Sequence, residues 1–257
     1  MPLYTTEAVI LRTYKLGEAD RIVVFLTRDR GKKRGVAKGA RRVRSRFGGA
    51  LEPLTKVTVA YFEKEHRELV GLNYVETERS PLASPDPRAL SYAEYFAELL
   101  DEWSPDSDPN ERLYRLGAST VEACAAGVPI DSLARYFEYW VLRLQGVYPS
   151  HLACHGCGGA LDGPEEGGAV LIPGGPVLMC LACAQSMGRA ADDWGAALSG
   201  DAIAFLRGAA AVAPLQVSEL PFSARIDREL EAVHQTLMVT HLEKELKSAR
   251  VLREMRQ

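Results

Sequence analysis

The chain has 257 residues, of which 47% are hydrophobic and 25% are charged, and its formal net charge is −3. These proportions are ordinary for a globular protein of two or three domains, and no apolar run approaches the roughly 20 residues of a membrane-spanning helix. The N-terminal residues also lack a basic stretch followed by a long apolar segment, so we expect no signal peptide, no membrane contact and a cytoplasmic location.

Five segments near the N-terminus have the composition of β-strands. Each is short and rich in Val, Ile, Thr and aromatic residues. They span residues 5–14, 19–28, 33–38, 56–64 and 68–77. Gly31 lies between the second and third segments, where a tight hairpin needs a positive φ. Because at most one helix fits between these strands, near residues 40–47, the pattern predicts a five-stranded barrel of the OB type.

Positive charge is concentrated in residues 21–46. This segment holds eleven Lys and Arg residues and one acidic residue, Asp29, so its local charge is +10. In an OB barrel the second and third strands and the adjacent loops form the usual oligonucleotide surface, so charge and fold position agree. We predict that nucleic acid contacts nine of these residues: Arg30, Lys32, Lys33, Arg34, Lys38, Arg41, Arg42, Arg44 and Arg46. The alternative is a solvated basic loop.

Aromatic residues are the second requirement of a single-strand binder, since any base can stack on a ring. The candidates within the barrel are Tyr14, Phe25, Phe47, Tyr61, Phe62 and Tyr74. Most aromatic residues on barrel strands belong to the core. Phe47 is the best candidate for stacking because it lies in the basic segment, and its alternative role is to anchor that segment to the barrel.

The N-terminal third carries a family resemblance. The stretches AVILRTYKLGEADRIVVFLTRDRGK and GVAKGARRVRSRFGGALEP resemble the RecO family of bacterial recombination-mediator proteins. The match is close over residues 1 to 80 and architectural beyond them. It implies an N-terminal OB fold, binding of single- and double-stranded DNA, and annealing of complementary strands. It also implies work with RecR and single-stranded-DNA-binding protein (SSB) to load RecA recombinase on SSB-coated DNA.

The sequence shows no P-loop, no GxSxG motif and no evident acid/base pair, so we expect that the protein is not an enzyme. Annealing requires no bond to be made or broken. It requires that two polyanions be held together, and a strongly basic segment lowers their repulsion by displacing condensed counterions.

A helical body follows the barrel. Three prolines at positions 81, 85 and 87 mark a boundary, and apolar residues at helical spacing predict helices over 90–103, 110–126 and 131–145. The last helix is unusually aromatic, and we expect its rings to lie in the core. The alternative, which rests on the resemblance, is a groove for the acidic, aromatic tail of SSB, rimmed by Arg135 and Arg143.

Four of the five cysteines form two CxxC pairs separated by 22 residues. They are Cys154, Cys157, Cys180 and Cys183. Two such pairs supply the four thiolates of a tetrahedral Zn²⁺ site, and because this shell is closed we expect the metal to be structural. The glycine-rich gap predicts a loop or hairpin. A zinc element that touches DNA is the alternative, although few cations lie nearby. Cys124 has no such neighbour and should be a buried apolar residue.

Two helices are predicted in the C-terminal part. The first starts at Ser199 or Asp201 and runs to Arg207, and the second starts near residue 223 and continues through one apolar stripe to Leu252. The cations near the end of the chain suit a helix C-terminus, and a second DNA contact is the alternative reading.

These observations predict an α+β protein: an N-terminal five-stranded OB-type β-barrel, then a mostly α-helical domain with an inserted four-cysteine zinc knuckle. The expected segments are 1–80 (OB domain), 81–148 (helical domain), 149–188 (zinc knuckle) and 189–257 (helices that complete the helical domain). The expected function is DNA binding and strand annealing in recombinational repair, in a cytoplasmic, nucleoid-associated protein. The alternatives are an RNA-binding or ribosome-associated OB protein, and a scaffold whose basic loop docks an acidic protein.

Overall fold

The computed structural model describes residues 2–64, 67–148, 152–161, 168–172, 175, 177–187 and 195–256. It divides into two compact units, Met1–Ile130 with Lys247–Gln257, and Asp131–Leu246. The proline-rich segment after residue 80 therefore lies inside the first unit, and the compact units are a different division of the chain from the four expected segments.

The first unit begins with a closed five-stranded barrel. Its strands are β1 (Leu3–Leu16), β2 (Asp20–Thr27), β3 (Lys32–Ala37), β4 (Lys56–Phe62) and β5 (Leu69–Arg79). The order around the barrel is β1-β2-β3-β5-β4, and every neighbouring pair is antiparallel except β3 and β5. Gly31 has φ of +68° in the turn before β3. The five predicted strands and the barrel are confirmed.

Both faces of β1 and β2 are buried at their centres. Val23 and Phe25 point into the barrel core, whereas the alternate residues Val24 and Leu26 lie on the outer face and are also buried. This two-sided burial explains the continuous apolar run in β2. On the outside, α1 (Ala89–Trp103) and α2 (Glu111–Ala125) pack against β1. Helices thus cover part of the surface that a bare barrel would expose.

The connection from β3 to β4 forms turns near residues 40–47, where the sequence allows one helix. A short 3-10 helix follows at Gly48–Leu51. The backbone N–H of Gly39 donates to Asp20 Oδ1 at 2.7 Å, and the N–H of Arg41 donates to the carbonyl of Ala19 at 2.9 Å. The N–H groups of Arg42 and Ser45 donate to carbonyls three residues earlier, those of Gly39 and Arg42, so the stretch forms successive turns and not an α-helix.

The predicted start and end of a helix agree best with the structure where capping residues set them. The side chain of Asn110 accepts from the backbone N–H of Leu113 at the start of α2, and Gly127 follows this helix with φ of +80°. In contrast, the prediction of a single final helix is wrong. Glu243 adopts a left-handed φ of +54°, which separates two helices, α6 (Ala224–Leu242) and α7 (Lys247–Met255).

The final helix α7 (Lys247–Met255) belongs to the first unit and packs on α1. The carboxylate of Glu98 on α1 accepts from the backbone N–H groups of Lys247 and Ser248, at 3.3 and 2.8 Å. A carboxylate at this position satisfies exposed donors and opposes the positive end of the helix dipole. A residue far away in sequence therefore fixes where α7 begins.

The second unit combines helices with a small sheet. Its elements are α3 (Ile130–Leu144), β6 (Ala169–Ile172), β7 (Val177–Cys180), α4 (Leu181–Ser186), β8 (Ala197–Leu198), α5 (Gly200–Ala211) and α6 (Ala224–Leu242). The strand order is β7-β6-β8. Ser199, one of the two predicted caps, accepts from the N–H of Ala202 at the start of α5.

The aromatic helix α3 contributes to the core, as expected. Tyr136, Phe137 and Tyr139 are buried. The position of Arg135 argues against the alternative prediction of a surface groove on this helix. Arg135 is 2% exposed, and its guanidinium nitrogens lie 3.0 Å from a carboxylate oxygen of Glu138 and 3.1 Å from a carboxylate oxygen of Asp227. A buried, ion-paired arginine cannot rim a surface groove. Among the helices that the structure describes, none is long and apolar enough to cross a membrane.

Candidate nucleic-acid interface and metal centre

Residues 38–46, here called the basic loop, connect β3 to the short 3-10 helix. One end of the loop is held by the Gly39 and Arg41 bonds to the β1–β2 hairpin, and Arg41 Nη1 also donates to the carbonyl of Gly17 at 2.9 Å. The other end is followed by Phe47, which is 2% exposed within the barrel core. The loop is therefore anchored at both ends on the barrel.

The basic loop holds five of the nine predicted contact residues. They are Lys38, Arg41, Arg42, Arg44 and Arg46, and all five are exposed. No acidic residue occurs between positions 38 and 46. In the described part of the chain, no carboxylate forms an ion pair with any of the five, whereas neighbouring cations do form such pairs. The loop thus presents five unneutralised charges to solvent.

The other four predicted residues have protein partners. Lys33 Nζ lies 2.9 Å from Glu63 Oε1, and Arg34 Nη2 lies 3.3 Å from Asp106 Oδ2. The guanidinium carbon of Arg30 lies 3.9 Å from the ring centroid of Tyr4. These contacts tie the charges to the barrel and to the segment after α1.

Lys32 differs most from the expectation. It is 7% exposed, and its Nζ lies 3.0 Å from Asp101 Oδ1 and 2.8 Å from the Asp101 carbonyl oxygen on α1. Its neighbour Gly31 packs so closely that a Cβ there would lie 2.4 Å from the carbonyl oxygen of Asp108. Since Lys32 is enclosed, we leave it out of the interface.

The aromatic candidates separate by burial. Phe25, Phe47 and Tyr61 lie in the barrel core, so of the two roles considered for Phe47 the structure supports the anchor and not the stacking platform. Burial raises the pKa of Tyr61 to about 12. Tyr14 and Tyr74 are 46% and 39% exposed. These two are the exposed rings of the candidate set.

Tyr74 lies on β5, a strand that Arg46 of the basic loop contacts. Arg46 Nη2 donates to the carbonyl of Leu72 on β5 at 3.5 Å, and Tyr74 follows two residues later on the same strand.

The four CxxC cysteines come together. Their sulfur atoms all lie within 4.8 Å of one another. Cys154 and Cys157 belong to a turn, Cys180 ends β7, and Cys183 lies on α4. The gap between the pairs contains the β6–β7 hairpin, which confirms that expectation. Tetrahedral bonds of about 2.3 Å would place the sulfurs about 3.8 Å apart, so a small contraction fits this set to zinc.

Close packing explains one glycine of the first turn. A Cβ at Gly156 would lie 2.9 Å from Met179 Cε and 3.2 Å from Cys183 Sγ. Gly158 has φ of +71°, and its N–H donates to the carbonyl of Cys154 at 2.9 Å. The first knuckle therefore needs glycine at one position for space and at the other for backbone conformation.

Hydrogen bonds prepare the cluster for thiolate. Burial alone would raise the pKa of Cys154, but N–H donors of Cys157, Cys180 and Gly156 lower it to about 6. The pKa of Cys183 is raised to about 12, because its thiol hydrogen-bonds to the other three sulfurs. Cys154 is thus favoured as the thiolate and Cys183 as the thiol, so binding of a metal ion by all four sulfurs would release protons. Cys124 is fully buried outside this cluster, as expected.

Comparison with known families covers nearly all of the chain. The family described as "Recombination protein O N terminal" matches residues 1–81, and "Recombination protein O C terminal" matches residues 84–250. The chain belongs to the RecO family. The second match shows that the RecO likeness extends well beyond the first 80 residues, into the helices and the cysteine cluster.

Individual relatives agree with this membership. A protein named "DNA repair protein RecO" from Bifidobacterium adolescentis is 33% identical over 255 residues, which cover 98% of this chain and 100% of that protein. The protein of the same name from Koribacter versatilis is 41% identical over 162 residues, or 62% of this chain and 66% of the relative. That from Geobacter metallireducens is 40% identical over 162 residues, or 63% and 66%.

Proposed function

We propose that this RecO-family protein binds single- and double-stranded DNA and anneals complementary strands during recombinational repair. The observation that carries the proposal is the basic loop: five exposed cations without ion pairs, anchored on an OB-type barrel. The names of the relatives, "DNA repair protein RecO", support the same process. The proposal includes no catalytic step.

The proposed mechanism is electrostatic. A cation that contacts a phosphate releases condensed counterions, and for single strands each contact contributes about −0.7 to the slope of log affinity against log salt concentration. Five contacts would give a slope of about −3.5. A loop with this charge density lowers the repulsion between two strands, and exposed rings such as Tyr74 would hold bases while they pair.

The partners in this proposal come from the family resemblance. RecR and SSB would act with the protein to load RecA recombinase on SSB-coated DNA, in the cytoplasm and at the nucleoid. We propose these assignments because the chain belongs to the RecO family over both matched regions.

We also propose that one Zn²⁺ ion is held by Cys154, Cys157, Cys180 and Cys183. The proximity of the four thiols supports this assignment. Four protein ligands complete a tetrahedral shell, so the ion would stabilise the fold and would not act on a substrate. It would link the first knuckle to the end of β7 and to α4.

The test measures annealing of two complementary labelled strands, together with salt titration of DNA binding. The variant carries Glu at Lys38, Arg41, Arg42 and Arg44. The matched control carries Glu at four exposed arginines elsewhere: Arg112, Arg115, Arg207 and Arg228. Both variants change the net charge equally, so only the position of the charge differs.

We expect the loop variant to lose annealing and to flatten the salt slope by about 2.8, which is four contacts at 0.7 each. The control should keep both properties, apart from a weak long-range effect. Unchanged annealing in the loop variant, or an equal loss in the control, would exclude the loop as the DNA site. Stronger binding of RNA in competition would favour the RNA-binding alternative.

A further inference from the structure

The tip of the basic loop carries an apolar side chain, Val43. Its relative exposure is 105%, whereas the next most exposed large hydrophobic residue among those described is Met255 at 58%. Single exposed apolar residues are common on protein surfaces. Val43 differs because its side chain is not packed against the protein and because it lies between Arg42 and Arg44, within a loop of five unneutralised cations.

The backbone holds this tip in a defined position. The N–H of Arg42 donates to the carbonyl of Gly39 at 3.1 Å, and the N–H of Ser45 donates to the carbonyl of Arg42 at 3.0 Å. The second of these turns encloses Val43. A β-branched side chain has few rotamers to lose, so ordering it against a ligand costs little entropy.

We infer that Val43 contacts the nucleobases of bound single-stranded DNA, while the flanking arginines contact its phosphates. This inference rests on the proposed function. Phosphate and sugar oxygens offer valine no favourable contact, but base faces and the thymine methyl group do. When Arg42 and Arg44 hold the phosphates on both sides of Val43, bases that turn toward the loop can cover its side chain with their apolar surface.

The experiment compares two ligands of equal length and charge: an oligodeoxythymidylate and an abasic deoxyribose-phosphate oligomer. Binding of both is measured for the wild type, for Val43→Ser and for the control Leu82→Ser, whose leucine is 57% exposed in the same unit. We expect Val43→Ser to bind oligodeoxythymidylate about fivefold more weakly, the effect of losing part of one buried side chain. Its affinity for the abasic oligomer should be unchanged, and Leu82→Ser should match the wild type on both.

A spectroscopic variant gives an independent readout. In Val43→Trp, the fluorescence added over the wild type should be quenched by oligodeoxythymidylate, because the indole would stack on bases. The abasic oligomer should quench it much less.

Three results would overturn the inference. Val43→Ser could bind oligodeoxythymidylate as tightly as the wild type, could lose equal affinity for both ligands, or Val43→Trp could be quenched equally by both. In each of these cases the wild type still binds DNA, so the proposed function would survive. A wild type that binds neither ligand would instead refute the proposed function itself.

Discussion

The cysteine cluster and the basic segment differ in how the fold arranges their residues: it brings the four cysteines together and separates the cations into two groups. All four cysteines meet within 4.8 Å. The nine cations instead divide into five on the exposed basic loop, which have no ion pair with a described carboxylate, and four that are ion-paired with Asp or Glu. A CxxC spacing fixes local geometry, because two intervening residues can turn both thiols to one point. A run of charges fixes no geometry, so tertiary structure assigns each cation its partner.

The largest expected effect concerns the cysteine side of this comparison. Cys180→Ser should remove the bound zinc and lower the free energy of unfolding by roughly 5 kcal/mol or more, since structural sites bind zinc with about 10–16 kcal/mol. Metal content by mass spectrometry and chemical denaturation would check this. Cys124→Ala is the matched control, because it removes a buried cysteine outside the cluster and should keep the metal. The prediction would be contradicted if the wild type carried no zinc and Cys180→Ser had the same free energy of unfolding as the wild type.

Phe47 tests whether the end of the basic loop belongs to the core. Phe47→Ala should lower the free energy of unfolding by about 3 kcal/mol, because it leaves a cavity among buried side chains. Tyr74→Ala, at a 39% exposed ring, should cost much less stability but weaken single-strand binding by about 1 kcal/mol. Denaturant titration and DNA binding of both variants separate the two roles, and the reverse pattern would show that Phe47 is the platform.

Lys32 tests the buried half of the basic segment. Lys32→Ala should lower the free energy of unfolding by about 2 kcal/mol, below the usual effect of breaking a buried pair, because Arg12 still lies 3.3 Å from Asp101. Its effect on the salt slope of DNA binding should be close to zero. A loss of DNA affinity with unchanged stability would mean that the Lys32 side chain breaks its ion pair with Asp101 and itself contacts a phosphate.

Arg44 gives the smallest effect on stability and tests the exposed half. Arg44→Ala should change the free energy of unfolding by less than about 0.5 kcal/mol, since it removes no buried contact. It should reduce the magnitude of the single-strand salt slope by about 0.7, the share of one phosphate contact. The two variants should therefore show opposite effects: Lys32→Ala lowers stability and leaves DNA binding nearly unchanged, whereas Arg44→Ala weakens DNA binding and leaves stability nearly unchanged. Equal changes in stability and in salt slope for the two variants would contradict the proposed division of the segment into a buried part and a DNA-binding part.

The elements that could be predicted are those that nearby residues decide. Strand periodicity, the positive φ of Gly31, the Asn110 cap and the CxxC turns all depend on groups within a few positions. These features predicted the five strands, the helical body and the cysteine cluster. The close family likeness was visible only for the first 80 residues, because the helical part depends on apolar spacing that many sequences share.

Tertiary structure decided the remainder, through contacts between residues far apart in sequence. Packing of α1 against β1 accompanies the burial of Lys32 beside Asp101, and the barrel core takes in Phe47. Glu98 caps α7 and so helps to divide a stripe that read as one helix. Charge and apolarity in a sequence state what a side chain prefers, but burial and pairing depend on which distant group meets it. The sequence by itself determined the barrel, the helices and the four cysteines of the cluster, and only the fold determined which cations remain exposed without an ion pair.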